Sequence, residues 1–373
     1  MGAPVGEGFS LVRGGPLHAL LVRVRLVRGG RGDLRRVVLA AIATNWAPVV
    51  LLGAFGGAAD LVDAPALHVR LLLTLPCILV AEAALHLLTR RCVVRFVEGD
   101  WAPGQRDAIA RLLAGIVRAR DAAIAEALLL VLAFALGLRT ASLLRVGAGG
   151  VSAATVWWAL VSLPAFQFLS LRWLWRWALW SVLLLRLARL DVRPIATHPD
   201  ERGGLGLLAE PSVAYTIVAF GVGAMLAAER FGPRLGAADL ERAAWGACVL
   251  AVISVALAFG PLLCFVPHLA RARRQALRHF GNFATDYVRA FDERWIARRS
   301  TAGLLGAPDI QSLADLANAY GVVRRMRLVP VTRRQFAAVA GAAFVPLLLL
   351  VLAHVPLTEL LGELGASWFG RLR

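Results

Sequence analysis

The stretch of sequence that decides the fold reads Arg172-Trp173-Leu174-Trp175-Arg176-Trp177, and it directly follows an apolar segment, residues 157–171. Tryptophan prefers the headgroup level of a bilayer, and arginine keeps its charge near lipid phosphates while its stem stays in apolar surroundings. On a helix, Trp180 shares a face with two tryptophans of the run. The run therefore predicts a helix lying along a membrane surface. This prediction places four side chains at lipid headgroups: Arg172, Trp173, Arg176 and Trp177.

The rest of the chain predicts an all-α membrane protein. Of its 373 residues, 59% are hydrophobic, and they form long blocks that approach the ~20 residues needed to cross a bilayer. Residues 173–190 could alternatively form an additional membrane-spanning helix. Such a helix would require a turn near Arg172, and no glycine or proline there could form one. The four cysteines have no metal-like spacing, and we expect no disulfide, metal or cofactor. The seven predicted crossings are residues 37–59, 71–88, 122–138, 153–171, 212–228, 243–266 and 336–353.

Arginine predicts the orientation. All 41 basic residues are arginine and the net charge is +17. Such a charge in a soluble protein would suggest nucleic acid, but in a membrane protein arginine excess marks the cytoplasmic side. Thirty-three of the 41 arginines lie in the segments that the predicted topology places on one side of the membrane, which are residues 1–36, 89–121, 172–212 and 267–335. We therefore expect a multi-pass protein of a bacterial inner membrane, with a cytoplasmic N-terminus, no signal peptide and no nucleic-acid partner.

This topology divides the chain into four parts. Residues 1–36 form a cytoplasmic N-terminal segment, and residues 37–266 form six crossings together with the surface helix and loop of 172–212. Residues 267–335 predict a cytoplasmic helical hairpin, because apolar residues recur at steps of three, four or seven and Asp309 is placed to cap a second helix. The seventh crossing and a short external tail occupy residues 336–373.

Ionisable and polar residues inside the crossings are candidates for function, because they are expensive to place in a membrane. Glu82 and His86 lie four residues apart in the second crossing, and Glu126 lies one turn inside the third, so the two sites could meet. Asn45 adds polarity to the first crossing. These residues predict a substrate, ion or proton path, with a structural clasp to Arg90 or Arg118 as the alternative. Five crossings also contain a proline that should bend the helix.

A polar loop follows the tryptophan- and arginine-rich run. Its glycine amides could cup a phosphate or carboxylate before the next helix. The alternative is a tight re-entry turn that Asp200 caps. A metal site would need a third ligand beside His198 and Asp200, and none stands at a recognised spacing. The residues of this candidate headgroup or anion loop are His198, Asp200, Gly203, Gly204 and Gly206.

Four segments together resemble a family of uncharacterised bacterial multi-pass inner-membrane proteins. They are residues 9–17, the run at 172–177, the loop at 197–206 and the segment 309–316. The resemblance spans most of the chain. It implies location and architecture, and it carries no activity.

These observations favour a channel- or transporter-like protein with a cytoplasm-facing polar site. The alternative is a membrane scaffold or sensor that binds lipid or a partner protein through its basic face. An enzyme acting on a lipid-linked substrate at the His198 loop is the least supported, since no nucleophile elbow, phosphate-binding loop or paired-carboxylate motif occurs. We therefore expect no enzyme. The expected partners are a bilayer with anionic headgroups, a second copy of the chain, and a small molecule or ion that the sequence does not specify.

Overall fold

The computed structural model describes residues 8–29, 32–56, 58–143, 152–229, 237–297 and 308–354, and its secondary structure is entirely helical across these residues. Short 3-10 or π-helical segments join several of the α-helices. The α-helices are α1 Pro16–Arg23, α2 Asp33–Asn45, α3 Ala47–Gly56, α4 Ala59–Val62, α5 Pro65–His68, α6 Leu75–Glu98, α7 Arg106–Asp121, α8 Ala123–Leu143, α9 Ala153–Trp157, α10 Leu163–Leu187, α11 Val213–Ala228, α12 Ala237–Phe259, α13 Val266–Phe291, α14 Pro308–Arg325, α15 Arg333–Ala342 and α16 Val345–His354.

Five helices in the described part of the chain are long and apolar enough to cross a membrane. Two further pairs, α7 with α8 and α15 with α16, pass the same test together but bend by 44° and 51°. The count is therefore five, or seven if each bent pair is one span. The five candidate spans cover Asp33–Phe55, Pro65–Glu98, Ala153–Leu187, Leu205–Ala228 and Glu241–Ala297.

Proline marks the irregular points of these helices, as the sequence predicts. A π-helical segment, Val69–Thr74, precedes α6, and Pro76 lies in the first turn of α6. Another π-helical segment, Trp158–Ser162, precedes α10, and Pro164 lies in the first turn of α10. A proline ring cannot continue the hydrogen-bond ladder of the preceding turn, so the helix changes its winding there.

The segment after residue 171 differs from the sequence prediction. The prediction ends the fourth crossing at Leu171 and starts a surface helix at Arg172. In the structure α9, the π-helical segment and α10 form one continuous helix, Ala153–Leu187. Because no glycine or proline interrupts residues 165–187, nothing in the local sequence stops this helix.

The amphipathic helix α7 agrees with its sequence pattern. Its residues Ile109, Leu113 and Ile116 are buried, whereas Arg111 and Arg118 are exposed. It begins at Arg106, after α6 has ended at Glu98. The buried face packs on α10.

Small residues bring α11 close to its neighbours, which include α6, α12, α15 and α16. A Cβ at Gly223 would lie 2.6 Å from the carbonyl oxygen of Ala343, and the carbonyl of Gly221 accepts a hydrogen bond of 2.8 Å from the Thr74 hydroxyl. Glycine at these positions permits backbone contact between helices, as is common in membrane bundles.

The two helices of the predicted hairpin, α13 and α14, pack against each other. Asp309 connects them, because its carboxylate accepts a hydrogen bond of 3.1 Å from Trp295 Nε1 and pairs with Arg294 at 2.9 Å. Asp309 thus ties α14 to the end of the preceding helix, whereas the sequence suggested a helix cap. Residues 298–307 and the tail from residue 355 lie outside the described part.

Candidate functional site

The centre of the bundle contains a buried cluster of charges built around Arg172. The Arg172 guanidinium donates through Nη1 to Glu82 and through Nε to Glu126, the second bond being 3.1 Å long. Arg176 Nη2 donates to the same Glu126 oxygen at 2.9 Å. Arg172 and Glu126 are each 4% exposed and Arg176 is fully buried. The cluster therefore lies inside the protein.

Three helices position these groups. Arg172 and Arg176 lie one turn apart on α10, so both guanidinium groups project from the same face of that helix. Glu82 comes from the middle of α6 and Glu126 from the first turn of α8. The cluster therefore joins three helices that come from separate parts of the sequence.

The N-terminal segment, residues 9–17, covers the cluster. The backbone N–H of Leu17 donates to Glu126 Oε2 at 2.8 Å, and the carbonyl oxygen of Gly14 accepts a bond of 3.2 Å from Arg176. Gly15 has φ +82°, and a Cβ there would lie 2.7 Å from a Glu126 oxygen. Only glycine brings the backbone this close to the carboxylate without strain.

The same segment is anchored at its start. The Ser10 carbonyl accepts a bond of 2.6 Å from Arg120, and the Ser10 hydroxyl lies 2.9 Å from His86 Nδ1. Phe9 and Leu11 on either side are buried in the hydrophobic core. Residues 9–17 are therefore an integral part of the bundle and complete the cluster.

The charges of the cluster cancel. Arg120, at the end of α7, pairs with Asp121 at 2.5 Å. Arg172 and Arg176 are balanced by Glu82 and Glu126, so three guanidinium groups are balanced by three carboxylates. A buried ion costs several kcal/mol unless it is paired and hydrogen-bonded. Each charge of the cluster is paired, and Arg176 Nε is the one cluster nitrogen buried without a partner among the described residues. The cluster therefore acts as a clasp between helices.

One histidine lies near this clasp without adding charge to it. Burial lowers the pKa of His18, on α1, and the positive charges of Arg172 and Arg13 lower it further. The folded protein thus takes up a proton at His18 less readily than the unfolded chain does. This histidine contributes stability that is fully present above its ordinary pKa of 6.5 and is lost as the pH falls from there through the lowered pKa of the folded state.

The structure confirms that Glu82 and Glu126 meet, but through an arginine that the sequence prediction placed elsewhere. His86 bonds to Ser10 and not to Glu82. Asn45 is buried, and its amide donates to the Ala41 carbonyl at 2.8 Å. The contacts of Asn45 do not reach the cluster. Of the four residues predicted to form one path, the structure therefore brings only the two carboxylates to a common partner.

The prediction that Arg172, Trp173, Arg176 and Trp177 contact lipid headgroups is wrong, since all four are buried. The tryptophans enclose Tyr215 of α11, whose ring meets each of them edge-on at centroid distances of 4.7 and 4.6 Å. A helical face that could lie on a membrane can equally face a protein interior. Glu82 of α6 and Glu126 of α8 explain why this face lies in the protein interior, because their carboxylates neutralise Arg172 and Arg176.

The loop of His198 and Asp200 is closed by its own carboxylate. Asp200 Oδ1 accepts from the backbone N–H of Arg202 at 2.8 Å and of Gly204 at 3.0 Å, and Oδ2 accepts from Gly206 at 3.1 Å. The His198 ring lies 2.9 Å from Oδ1. The amides of Gly204 and Gly206 are thus occupied, and the geometry matches the alternative of a capped turn. It does not match the predicted anion cup.

The electrostatics of Asp200 agree with this role. Burial by itself would raise the pKa of the carboxyl group, but the backbone N–H groups of Gly204 and Arg202 hold the pKa below its ordinary value. Asp200 is therefore ionised at neutral pH. Among the described residues no group of three His, Cys, Asp or Glu side chains could hold a metal ion.

Trp101 packs into the same loop. Its ring meets His198 edge-on with centroids 5.7 Å apart, and a Cβ on Gly204 would lie 1.9 Å from the indole ring. The neighbouring Gly203, at φ +62°, has equally little space, because a Cβ there would lie 2.6 Å from Pro194. The two glycines are required by packing and by backbone conformation, which explains them without a ligand.

Comparison with protein-family models, curated proteins and solved structures finds no match to this chain. The function therefore has to be argued from the geometry described above.

We predict that Gly204→Ala lowers the thermal unfolding temperature much more than Gly104→Ala does. Both glycines have positive φ, +83° and +72°, but nothing lies within 4 Å of a Cβ at Gly104. Both changes incur the backbone cost of roughly 1–2 kcal/mol, and only Gly204→Ala adds a clash with Trp101 of about 1–3 kcal/mol. Thermal unfolding in detergent measures the difference, and equal losses would show that Trp101 does not pack as described.

We also predict that Glu126→Gln destabilises the protein more than Glu82→Gln, because Glu126 accepts three hydrogen bonds and Glu82 accepts one. Breaking a buried pair costs about 3–5 kcal/mol. Glu98→Gln, at an exposed carboxylate on the same helix as Glu82, is the matched control and should be nearly neutral. Chemical denaturation measures all three, and three equal values would contradict the clasp.

Proposed function

We propose that this protein is a multi-pass protein of a bacterial inner membrane that acts as a scaffold. It binds an acidic partner protein through the hairpin of α13 and α14. The observation that carries this proposal is a row of exposed arginines along one face of α13, Arg274, Arg278 and Arg289. Their spacing of four and eleven residues keeps them in line on the helix.

The length of the last apolar helix supports an exposed hairpin. The continuous helix Glu241–Ala297 has 57 residues, whereas a crossing needs ~20. More than half of this helix therefore extends beyond one membrane thickness. The 26 residues of α13 alone span roughly 39 Å at 1.5 Å per residue. The arginine row would thus stand away from the bilayer, where a protein partner can reach it.

Apolar side chains beside the row would serve as anchors for a partner. Val288 is 42% exposed and Ile296 is 64% exposed on the same stretch of helix. Protein interfaces combine an aromatic or aliphatic centre with a charged rim that steers association. The surface of α13 has this composition, and it selects for acidic partners.

The charge cluster supports a scaffold more than a pore. Its charges are mutually neutralised, and the cavities described in the structure are lined by other residues. A conduction path needs groups that water or a substrate can reach. The excess of arginine in alternate connecting segments supports a topology with the N-terminus and the hairpin both in the cytoplasm.

A photo-crosslinking residue at Val288, beside the arginine row, tests the scaffold in intact cells. We expect a discrete adduct with an acidic protein, and we expect Arg274→Glu with Arg278→Glu to reduce its yield by about tenfold or more, because like charges repel at an interface. A crosslinker at Leu128, exposed on α8, is the control and should not give this adduct. The absence of any protein adduct, or its persistence after charge reversal, would contradict the proposal. An adduct only with a second copy of the chain would assign the surface to self-association instead.

The second candidate function is transport through a cytoplasm-facing polar site. The observation that favours transport is that the N-terminal segment, residues 9–17, covers the buried carboxylates. This segment belongs to none of the long apolar helices, so it could move away from Glu126. In this interpretation the structure represents a closed state of a path past Glu82 and Glu126.

Proteoliposomes distinguish this candidate. Transport predicts a pH-dependent proton or ion flux above that of protein-free liposomes. The flux should be lost in Glu126→Gln and kept in Glu98→Gln, because only the first carboxylate lies in the cluster. If the intact protein gives no flux across the pH range 5 to 8, in which histidine and raised carboxyl groups titrate, transport is excluded as its activity.

A further inference from the structure

A cleft of about 470 Å³ lies between the loop that follows α10 and the first turns of α13. None of the residues that line it belongs to the charge cluster or to the arginine row of the hairpin. One side contains polar groups, His268, Arg271 and Gln275, and the opposite side contains loop residues that include Arg193. The cleft volume is in the range of small-ligand sites.

Two of the polar groups lack partners. Arg271 forms no ion pair and no hydrogen bond to any residue in the described part of the chain, and it is exposed. His268 lines the cleft, and its Nδ1 is buried without a hydrogen-bond partner. By contrast, Arg193 is already paired with Asp191 at 2.7 Å. The cleft therefore has one free positive charge and one unsatisfied ring nitrogen.

Much of the remaining wall is apolar, and Asp191 and Thr197 add polar groups to it. Val192 and Pro194 contribute from the loop, and Ala272, Ala276 and Phe280 contribute from α13. A ligand that fits both kinds of wall is an anion attached to an apolar or neutral body.

The position of the cleft along the chain indicates where such a ligand comes from. Asp191 follows the end of α10 by four residues, and His268 follows Phe265, where the last 3-10 segment ends, by three residues. The cleft thus lies where two of the long apolar helices leave their apolar parts. In a membrane this is the level of the lipid phosphates.

We propose that this cleft binds a phosphodiester, with Arg271 as the charge partner. The apolar wall accommodates the body that carries the phosphate. The phosphodiester of an anionic lipid headgroup and a soluble phosphate ester share this chemistry, and the experiment separates the two sources. The proposal does not depend on a partner for the hairpin.

Native mass spectrometry of the full chain in neutral detergent tests the site, with phosphatidylglycerol as the anionic probe. We expect one tightly bound lipid, and we expect Arg271→Gln to weaken its binding by about tenfold or more, because a charge-assisted hydrogen bond is lost. Arg278→Gln removes the same charge from the same helix outside the cleft, and it should bind like the unmodified protein. Phosphatidylcholine, which is zwitterionic, should bind more weakly than phosphatidylglycerol.

A second variant keeps the test independent of Arg271. Gln275 lines the cleft and is exposed, so Gln275→Glu should fold normally and should repel the phosphate. Weaker binding in both cleft variants supports the site. Equal weakening in Arg278→Gln would show diffuse attraction to a basic surface, and unchanged binding in all variants would show that the lipid binds elsewhere. Either result would overturn the proposal.

Glycerol phosphate identifies the source of the ligand. If it fails to displace the lipid at millimolar concentration, the site is a headgroup site. Alternatively, glycerol phosphate displaces the lipid and itself binds more weakly to Arg271→Gln and Gln275→Glu. That result would support a phosphate site in the cleft and would identify the ligand as a soluble ester. If phosphatidylcholine binds as tightly as phosphatidylglycerol, net charge does not select the ligand, and the assignment to Arg271 is overturned.

Discussion

The packing of the bundle depends on the neutralisation of buried arginine. A guanidinium group cannot be deprotonated at accessible pH, so its charge has to be matched wherever the helix places it. Arg172 is matched by carboxylates from two different helices, Glu82 on α6 and Glu126 on α8. This requirement fixes the rotation of three helices about their axes. Apolar packing alone would tolerate other rotations, since alanine and leucine fit many neighbours.

The position of the N-terminal segment, residues 9–17, is explained by the same need to match buried charge. Three carboxylates do not satisfy every N–H of three guanidinium groups, and buried donors need hydrogen-bond partners. The backbone carbonyls of Ser10 and Gly14 provide the additional acceptors, and the Leu17 N–H provides a donor for Glu126. A segment that is not a membrane-spanning helix thereby becomes part of the core, and its glycines follow from the close approach of backbone to charge.

Much of the architecture is predictable because it depends on local sequence. The irregular winding before Pro76 and Pro164, the buried face of α7 and the packing of α13 on α14 follow from proline, periodicity and apolar content. The location of Arg172 and Arg176 is not predictable in this way. A helix stripe of arginine and tryptophan has the same spacing on a membrane surface and inside a bundle, and only the partner helices distinguish them. The sequence does contain evidence for the interior location, because Glu82 and Glu126 lie in predicted crossings. Buried carboxylates require positively charged partners, as buried arginines require negatively charged ones.

Arginine therefore has three different environments in this protein, and its surroundings determine its role. Arg172 is buried among carboxylates and holds helices together. Arg271 borders a cleft without a carboxylate partner of its own, and Arg278 is exposed on a helix that extends past the apolar core. Net charge cannot separate these roles, because each contributes one positive charge. The asymmetry between the two sides of the predicted topology persists when the buried arginines are left out, since most of the others still lie in the same alternate segments. The interior arginines thus explain the fold, and the unpaired ones on α13 are the groups through which the protein can recognise an anion.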